Sequence, residues 1–344
     1  MPSHERVRRR PRYPENFVNK SPMSAPTLLV LGNPAAKHLS ALERLPKEAR
    51  IVIGEKEGAF RDSIGEARAV LLAGDYRELL HTLWARLQRL EWVHSMWAGL
   101  EGVLFPELVE SPVVLTNSRG VFARSLGEFA IAGMLHFAKH LDRMRSQQAK
   151  SQWQPFEVEE LHGRVLGIVG YGQIGREAAK RARAFGMLIR VLRRHAHKAA
   201  QDDLVERVYT EGELLELLAS ADYLLVAAPL TAETRGLIGQ KAFAAMKPNA
   251  VLINLGRGPV VVEEHLVQAL KKGAIRGAVL DVFDTEPLPA QHPLWKMDNV
   301  LISPHTADRT ATWLQEAMDL FVENYRRFAA GEPLLNVTDK RLGY

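Results

Sequence analysis

"VLGIVGYGQIGREAAKRARAFG", Val165 to Gly186, is the stretch that decides the fold. Its opening run is apolar at every position, as expected of a strand buried on both faces in a parallel sheet. Gly170, Gly172 and Gly175 follow, and an amphipathic helical pattern begins at "REAAKRARAFG". Between a buried strand and such a helix, this glycine spacing is a specific signal for a dinucleotide-binding turn. Gly170 permits the tight turn, Gly172 lets the backbone approach phosphate oxygens, and Gly175 lets helix and strand pack closely. The backbone from Gly170 through Tyr171, Gly172, Gln173 and Ile174 to Gly175 then offers N–H groups and the positive helix end to a pyrophosphate.

The next strand ends at "VLRRH", Val191 to His195, with Arg193 eighteen residues beyond Gly175. A site for NAD usually places an Asp or Glu there to accept hydrogen bonds from the adenosine ribose. Arginine accepts none, but its guanidinium pairs with a 2′-phosphate. Arg193 and Arg194 therefore point to NADP(H) as the preferred cofactor, with NAD(H) possible. Two solvated arginines at a strand end are the bland alternative.

Working outward, 344 residues suffice for two domains, and 47% hydrophobic with 25% charged is ordinary soluble composition. No apolar run has the length of a membrane span. Without cysteine there is no disulfide framework and no thiolate chemistry. The net charge of +5 invites a nucleic-acid reading, yet the first 22 residues hold six basic and two acidic residues and so carry +4 of it. The excess lies in a tail, and no nucleic-acid partner is expected. Residues 1–22 read as a disordered basic extension; an organelle-targeting peptide fits less well, because two glutamates and four prolines interrupt it. The expected address is the cytoplasm.

Short apolar runs alternate with amphipathic stretches along the rest of the chain. The first set is Thr27–Leu31, Arg50–Ile53, Ala69–Ala73, Trp92–Ser95 and Val113–Leu115. The second is Val165–Val169, Leu188–Leu192, Tyr223–Ala227, Ala250–Asn254, Gly277–Leu280 and Val300–Ile302. Five strands and then six imply an α/β chain of two doubly wound parallel-sheet domains, a flavodoxin-like substrate domain and a Rossmann domain. Ser125–Gln148 reads as one long helix, and Ala311–Ala330 as a terminal helix that returns to the first domain. The expected boundaries are 23–123 with 308–344 for the substrate domain and 124–307 for the dinucleotide domain.

Three loops follow strands of the second domain: "NLGRGPVV" with Arg257, "DVFDTEPLP" with Glu286, and "SPHTA" with His305. Strand ends of this kind form the ligand-binding rim of α/β sheets. A guanidinium can hold a carboxylate through two hydrogen bonds, and an imidazole exchanges protons near neutrality. A carboxylate beside the imidazole orients it and favours its protonated form. His94, His136, His140, His162 and His292 show no metal-ligand spacing and read as structural or solvated; no metal is expected.

With the glycine fingerprint, the segments "PLTAETRGLI", "INLGRGPVVVEEHLVQAL", "GAVLDVFDTEPLP" and "NVLISPHTA" resemble the D-isomer-specific 2-hydroxyacid dehydrogenases, from Met23 to about Asn336. The resemblance implies hydride transfer between a nicotinamide and the C2 position of a 2-oxo acid. It implies Arg257 as the arginine on substrate carboxylate and carbonyl, Glu286 as the acid paired to the histidine, and His305 as the proton donor. Asp281 would contact the nicotinamide carboxamide, and Ala228, Pro229, Thr234, Leu255 and Gly256 would line the cofactor. Trp97, Ala98 and Gly99 would form the substrate-carboxylate loop.

The arginines at the strand end make the pattern most similar to NADP-dependent glyoxylate and hydroxypyruvate reductases. An NAD-linked dehydrogenase for D-3-phosphoglycerate or another D-2-hydroxy acid, and a dinucleotide-sensing corepressor-like binding protein, are the alternatives. "RMRSQQAKSQWQP" resembles a dimer arm carrying Trp153, so a homodimer is expected.

Overall fold

The computed structural model describes residues 26–193 and 202–344. The extension expected at 1–22 and the cation Arg194 lie outside the described residues. Contacts divide the chain into two compact units: the residues up to Val121 together with Ala311–Tyr344, and Phe122–Thr310.

The smaller unit is built on five parallel strands, β1 (Thr27–Leu31), β2 (Ile51–Gly54), β3 (Ala67–Leu72), β4 (Trp92–Ser95) and β5 (Val114–Asn117), in the order β2-β1-β3-β4-β5. That is the flavodoxin order, with its crossover between β1 and β3. Strand alternation sends β1 side chains to opposite layers. Leu28 and Val30 pack with Phe321 and Tyr325 of the terminal helix Trp313–Ala330, whereas Leu29 and Leu31 pack with Leu80 and Leu83. Trp92 of β4 stacks on Phe321, centroids 5.5 Å apart, and each fully buried aromatic of this kind contributes about 2–3 kcal/mol. Gly331, at φ 70°, ends the helix in the left-handed conformation that glycine adopts without a Cβ penalty.

The larger unit has seven parallel strands: β6 (Val165–Val169), β7 (Leu188–Leu192), β8 (Arg207–Tyr209), β9 (Tyr223–Val226), β10 (Val251–Asn254), β11 (Gly277–Leu280) and β12 (Val300–Ile302). Their order, β12-β11-β10-β9-β6-β7-β8, is doubly wound about β6, the strand that feeds the glycine turn. The expected fold class, two doubly wound parallel-sheet α/β domains, is therefore met.

Two details differ from the sequence reading. The seventh strand, β8, was not anticipated; it is a three-residue edge strand, with Arg207 exposed and its guanidinium 4.3 Å above the Tyr209 ring. The single helix expected over Ser125–Gln148 is two, Ala123–Ala138 and Leu141–Ala149, because His140 takes a left-handed φ of 50°. The break is stabilised by tertiary contact. Arg276 Nη2 donates to the Phe137 carbonyl at 2.7 Å, and Lys139 Nζ donates to the Glu159 carbonyl at 2.6 Å.

Candidate active site

The glycine turn after β6 separates two reasons for being glycine. Gly170 has φ 94°, and a Cβ there would lie 2.5 Å from the Ala228 nitrogen. At Gly175 a Cβ would lie 2.9 Å from the Gly170 oxygen, so helix Gln173–Ala184 packs directly on the turn. Gly172 is different: its φ of −93° suits any residue, and a Cβ there would meet none of the described residues within 4 Å. None of the described residues requires glycine at 172, whereas a phosphate approaching the backbone does. The helix it begins has no side-chain cap, so its first-turn N–H groups remain available to an anion. The turn fits a dinucleotide pyrophosphate.

At the end of β7 the Arg193 N–H donates to the Tyr209 carbonyl at 3.0 Å, and its side chain is half-buried. Beside it, Tyr171 is buried and its hydroxyl donates to Asp202 Oδ2 at 3.1 Å. Burial, and then Asp202, push the Tyr171 hydroxyl far above its ordinary range. Farther along this rim, Ala228 is buried, and Thr234 turns its hydroxyl into its own loop, donating to the Pro229 carbonyl at 2.6 Å.

Beyond β10, Asn254 fixes the next turn from both ends. Its Oδ1 accepts the Gly256 N–H at 3.2 Å, and its Nδ2 donates to the Arg257 carbonyl at 3.2 Å. Leu255 is buried, and a Cβ on Gly256 would lie 2.7 Å from the Ala228 oxygen. Arg257 Nη1 donates to the Gly256 carbonyl at 2.8 Å. A Cβ on Gly258 would overlap the Phe283 carbonyl at 2.0 Å, so the arginine turn is packed against the loop that carries Glu286.

Glu286 is held at both oxygens. Oε1 accepts the Phe283 N–H at 3.0 Å, and Oε2 lies 2.7 Å from His305 Nδ1. The carboxylate thereby directs the opposite ring nitrogen, Nε2, away from itself. The pair is partly exposed, 43% for the His305 side chain and 35% for Glu286, so solvent moderates its charge interaction.

His305 has φ 49°, a conformation that costs a non-glycine residue about 1–3 kcal/mol. Asp281, buried at the end of β11, offsets that cost. Its Oδ1 accepts from Ser303 Oγ at 2.5 Å and from the N–H groups of Thr306 and Ala307 at 3.0 and 3.1 Å. Asp281 thus braces the histidine turn, a role the sequence reading did not assign. The available signals were its place at the end of an apolar run and the serine two positions before the histidine. Asp308 was missed as well: burial, then Asp281, raise its carboxyl above the ordinary range, while His305 opposes the shift.

The smaller unit holds Trp97, Ala98 and Gly99 just past β4. The Trp97 N–H donates to Ser95 Oγ at 3.2 Å, the Ser118 N–H donates to the Trp97 carbonyl at 3.3 Å, and Asn117 Nδ2 donates to the Ala98 carbonyl at 2.6 Å. The Trp97 ring is 38% exposed and lies 5.1 Å from the Trp313 ring, and Gly99 is half-buried. In the same strand His94 is fully buried, with Nδ1 2.7 Å from Thr116 Oγ1. Among the described residues no His, Asp and Glu side chains group to hold a metal, and no helix is long and apolar enough to cross a membrane.

Residues 131–307 match the family of D-isomer specific 2-hydroxyacid dehydrogenases, NAD binding domain. A protein of Serratia proteamaculans named glyoxylate/hydroxypyruvate reductase A is 33% identical over 270 residues, 77% of this chain and 85% of that one. A Korarchaeum cryptofilum protein named glyoxylate reductase is 34% identical over 261 residues, 74% of this chain and 77% of that one. Among solved structures, a D-isomer specific 2-hydroxyacid dehydrogenase from Xanthobacter autotrophicus Py2, in complex with NADPH and MES, superposes with a TM-score of 0.78. It is 29% identical and is matched over 94% of this chain and 100% of that one.

Proposed function

The chain belongs to the D-isomer-specific 2-hydroxyacid dehydrogenase family, and is thus an NAD(P)-dependent oxidoreductase acting on a CH–OH group; from that premise we propose that it reduces a small 2-oxo acid of the glyoxylate or hydroxypyruvate kind, with NADPH preferred. The observation that carries this reading is the 2.7 Å contact of His305 with Glu286, beside an arginine turn packed on the same loop.

In this reading the Arg257 guanidinium binds the substrate carboxylate and draws electron density from the 2-oxo group. His305 delivers a proton from Nε2 to the forming hydroxyl, while Glu286 fixes the ring and compensates its charge. Asp281 holds the histidine turn and contacts the carboxamide end of the cofactor. Trp97, Ala98 and Gly99 contribute to substrate binding. The glycine turn Gly170–Gly175, Ala228, Pro229, Thr234, Leu255 and Gly256 hold the dinucleotide, and Arg193 with Arg194 hold its 2′-phosphate. When bound, that cofactor supplies the hydride.

A second copy of the chain is the proposed partner. Helix Leu141–Ala149 has no buried residue, and Trp153 just after it is 93% exposed, a surface suited to a homodimer arm. Purified protein incubated with NADPH or NADH and with glyoxylate, hydroxypyruvate, pyruvate or phenylpyruvate tests the reading. Reduction of the first two, faster with NADPH, is the expected result; no oxidation of either dinucleotide with any of the four would end it. Exchanging Arg193 for Asp and Arg194 for Ser should move the kcat/KM preference toward NADH.

A further inference from the structure

Asp202, five residues before β8, brings one carboxylate to the glycine turn. Asp202 Oδ2 accepts from the Tyr171 hydroxyl at 3.1 Å and from Arg176 Nε at 2.7 Å, while Oδ1 accepts the Leu204 N–H at 3.2 Å. Although it belongs to a polar loop, its side chain is only 14% exposed. Burial acts to raise this carboxyl, but Arg176, the Leu204 N–H and Tyr171 outweigh burial and hold it below the ordinary range, so it is ionised at neutral pH. Tyr171 sits between Gly170 and Gly172, and Arg176 lies in the first turns of the helix they begin. Two cations, Arg176 and Arg193, and one anion, Asp202, therefore act on a single buried hydroxyl at the dinucleotide turn.

We infer that Asp202 is a specificity-determining residue: by pinning Tyr171 and neutralising Arg176 with a fixed negative charge, it limits how strongly this turn favours a 2′-phosphorylated dinucleotide over the unphosphorylated form. The inference rests on the dinucleotide reading of the turn. A 2′-phosphate brings close to two negative charges to the adenosine end, and a carboxylate nearby opposes them. The same carboxylate takes up the Arg176 guanidinium, leaving the strand-end pair Arg193 and Arg194 to attract the phosphate. A dinucleotide without that phosphate feels neither effect to the same degree. Arg193 sets the direction of the preference and Asp202 sets its ceiling.

The test measures dissociation constants of NADPH and NADH for the full chain, by quenching of tryptophan fluorescence. Asp202→Asn keeps the size and an accepting oxygen but removes the charge. It should tighten NADPH roughly five- to tenfold and leave NADH within about twofold. The gain should shrink as salt is raised, because the added attraction is screened. Asp202→Glu retains the charge and should leave the NADPH-to-NADH ratio at its wild-type value. Arg176→Gln leaves the anion uncompensated and should move the ratio toward NADH, so the inference stays open to refutation even where Asp202→Asn folds poorly.

An unchanged or lowered NADPH preference in Asp202→Asn, or a raised one in Arg176→Gln, would overturn the role of Asp202 while leaving the cofactor reading intact. Wild-type protein that binds neither dinucleotide would overturn the cofactor reading, and this inference with it.

Discussion

Each of the two sheets carries a histidine near the end of a strand, and the two are treated in opposite ways. His305, in the larger unit, meets a carboxylate through Nδ1 and keeps 43% of its side chain exposed. His94, in the smaller unit, meets a hydroxyl through Nδ1 and is fully buried. Thr116 Oγ1 accepts the Trp92 indole N–H at 2.8 Å and lies 2.7 Å from His94 Nδ1, so one hydroxyl ties the two buried rings together. Burial drives the His94 pKa down to about 3, which keeps the ring neutral. The difference teaches that partner and solvent access, and not position at a strand end, separate a histidine suited to the proposed proton transfer from one that serves packing. An apolar surround with only a hydroxyl for a partner refuses a second proton, as the burial of His94 shows.

Breaking the carboxylate-paired half of this comparison has the largest expected effect. His305→Gln should lower kcat about a hundredfold or more, near 3 kcal/mol of transition-state stabilisation, with NADPH affinity and thermal midpoint little changed. Steady-state kinetics with glyoxylate measures it, and full turnover would remove His305 from the chemistry.

The neutral half predicts acid lability. His94 titrates near 6.5 when unfolded and at about 3 when folded, so the unfolded chain binds the proton first. Stability is therefore complete above pH 6.5 and declines as pH falls toward 3, by about 2 kcal/mol between pH 6.5 and 5. His94→Gln should flatten that decline in denaturant melts of wild type and variant run side by side; parallel slopes would contradict it.

The smallest effect tests the far end of the ring. Ser118 Oγ lies 3.5 Å from His94 Nε2, a weak contact, and Ser118→Ala should cost about 0.5 kcal/mol or less. A loss of several kcal/mol in the same melts would mean that this hydroxyl, rather than Thr116, anchors the ring.

Both sheets were legible in the sequence because their parallel strands read as short, largely apolar runs; β1, β4, β6, β7, β11 and β12 span the residues the runs marked. Arg207–Tyr209 escaped because an edge strand of three residues, exposed at Arg207, leaves no such run. The break at His140 was invisible for another reason. Neither glycine nor proline marks it, and the contacts that hold it come from Arg276 and Glu159, far along the chain.

At the site, the strand-end motifs drew attention to Arg257, Glu286 and His305 as residue types, but spacing carries no distance. That Glu286 and His305 meet at 2.7 Å depends on the Phe283 N–H and on the bracing of the turn by Asp281. The Tyr171–Asp202–Arg176 cluster gave no signal at all, since one of two adjacent aspartates in a polar stretch looks like solvated charge until a fold sets a buried hydroxyl against it.

One layer of the five-stranded sheet is covered by Phe321, Tyr325 and Phe328, which are encoded just over two hundred codons after β5. On the ribosome, Leu28, Val30 and Trp92 emerge long before the residues that will shield them. The seven-stranded unit can be synthesised whole in the meantime. The order of assembly is thus inverted relative to the order of translation: the interior module can close first, and the leading segment must wait, with one oily face open to chaperones, for the trailing helix to arrive.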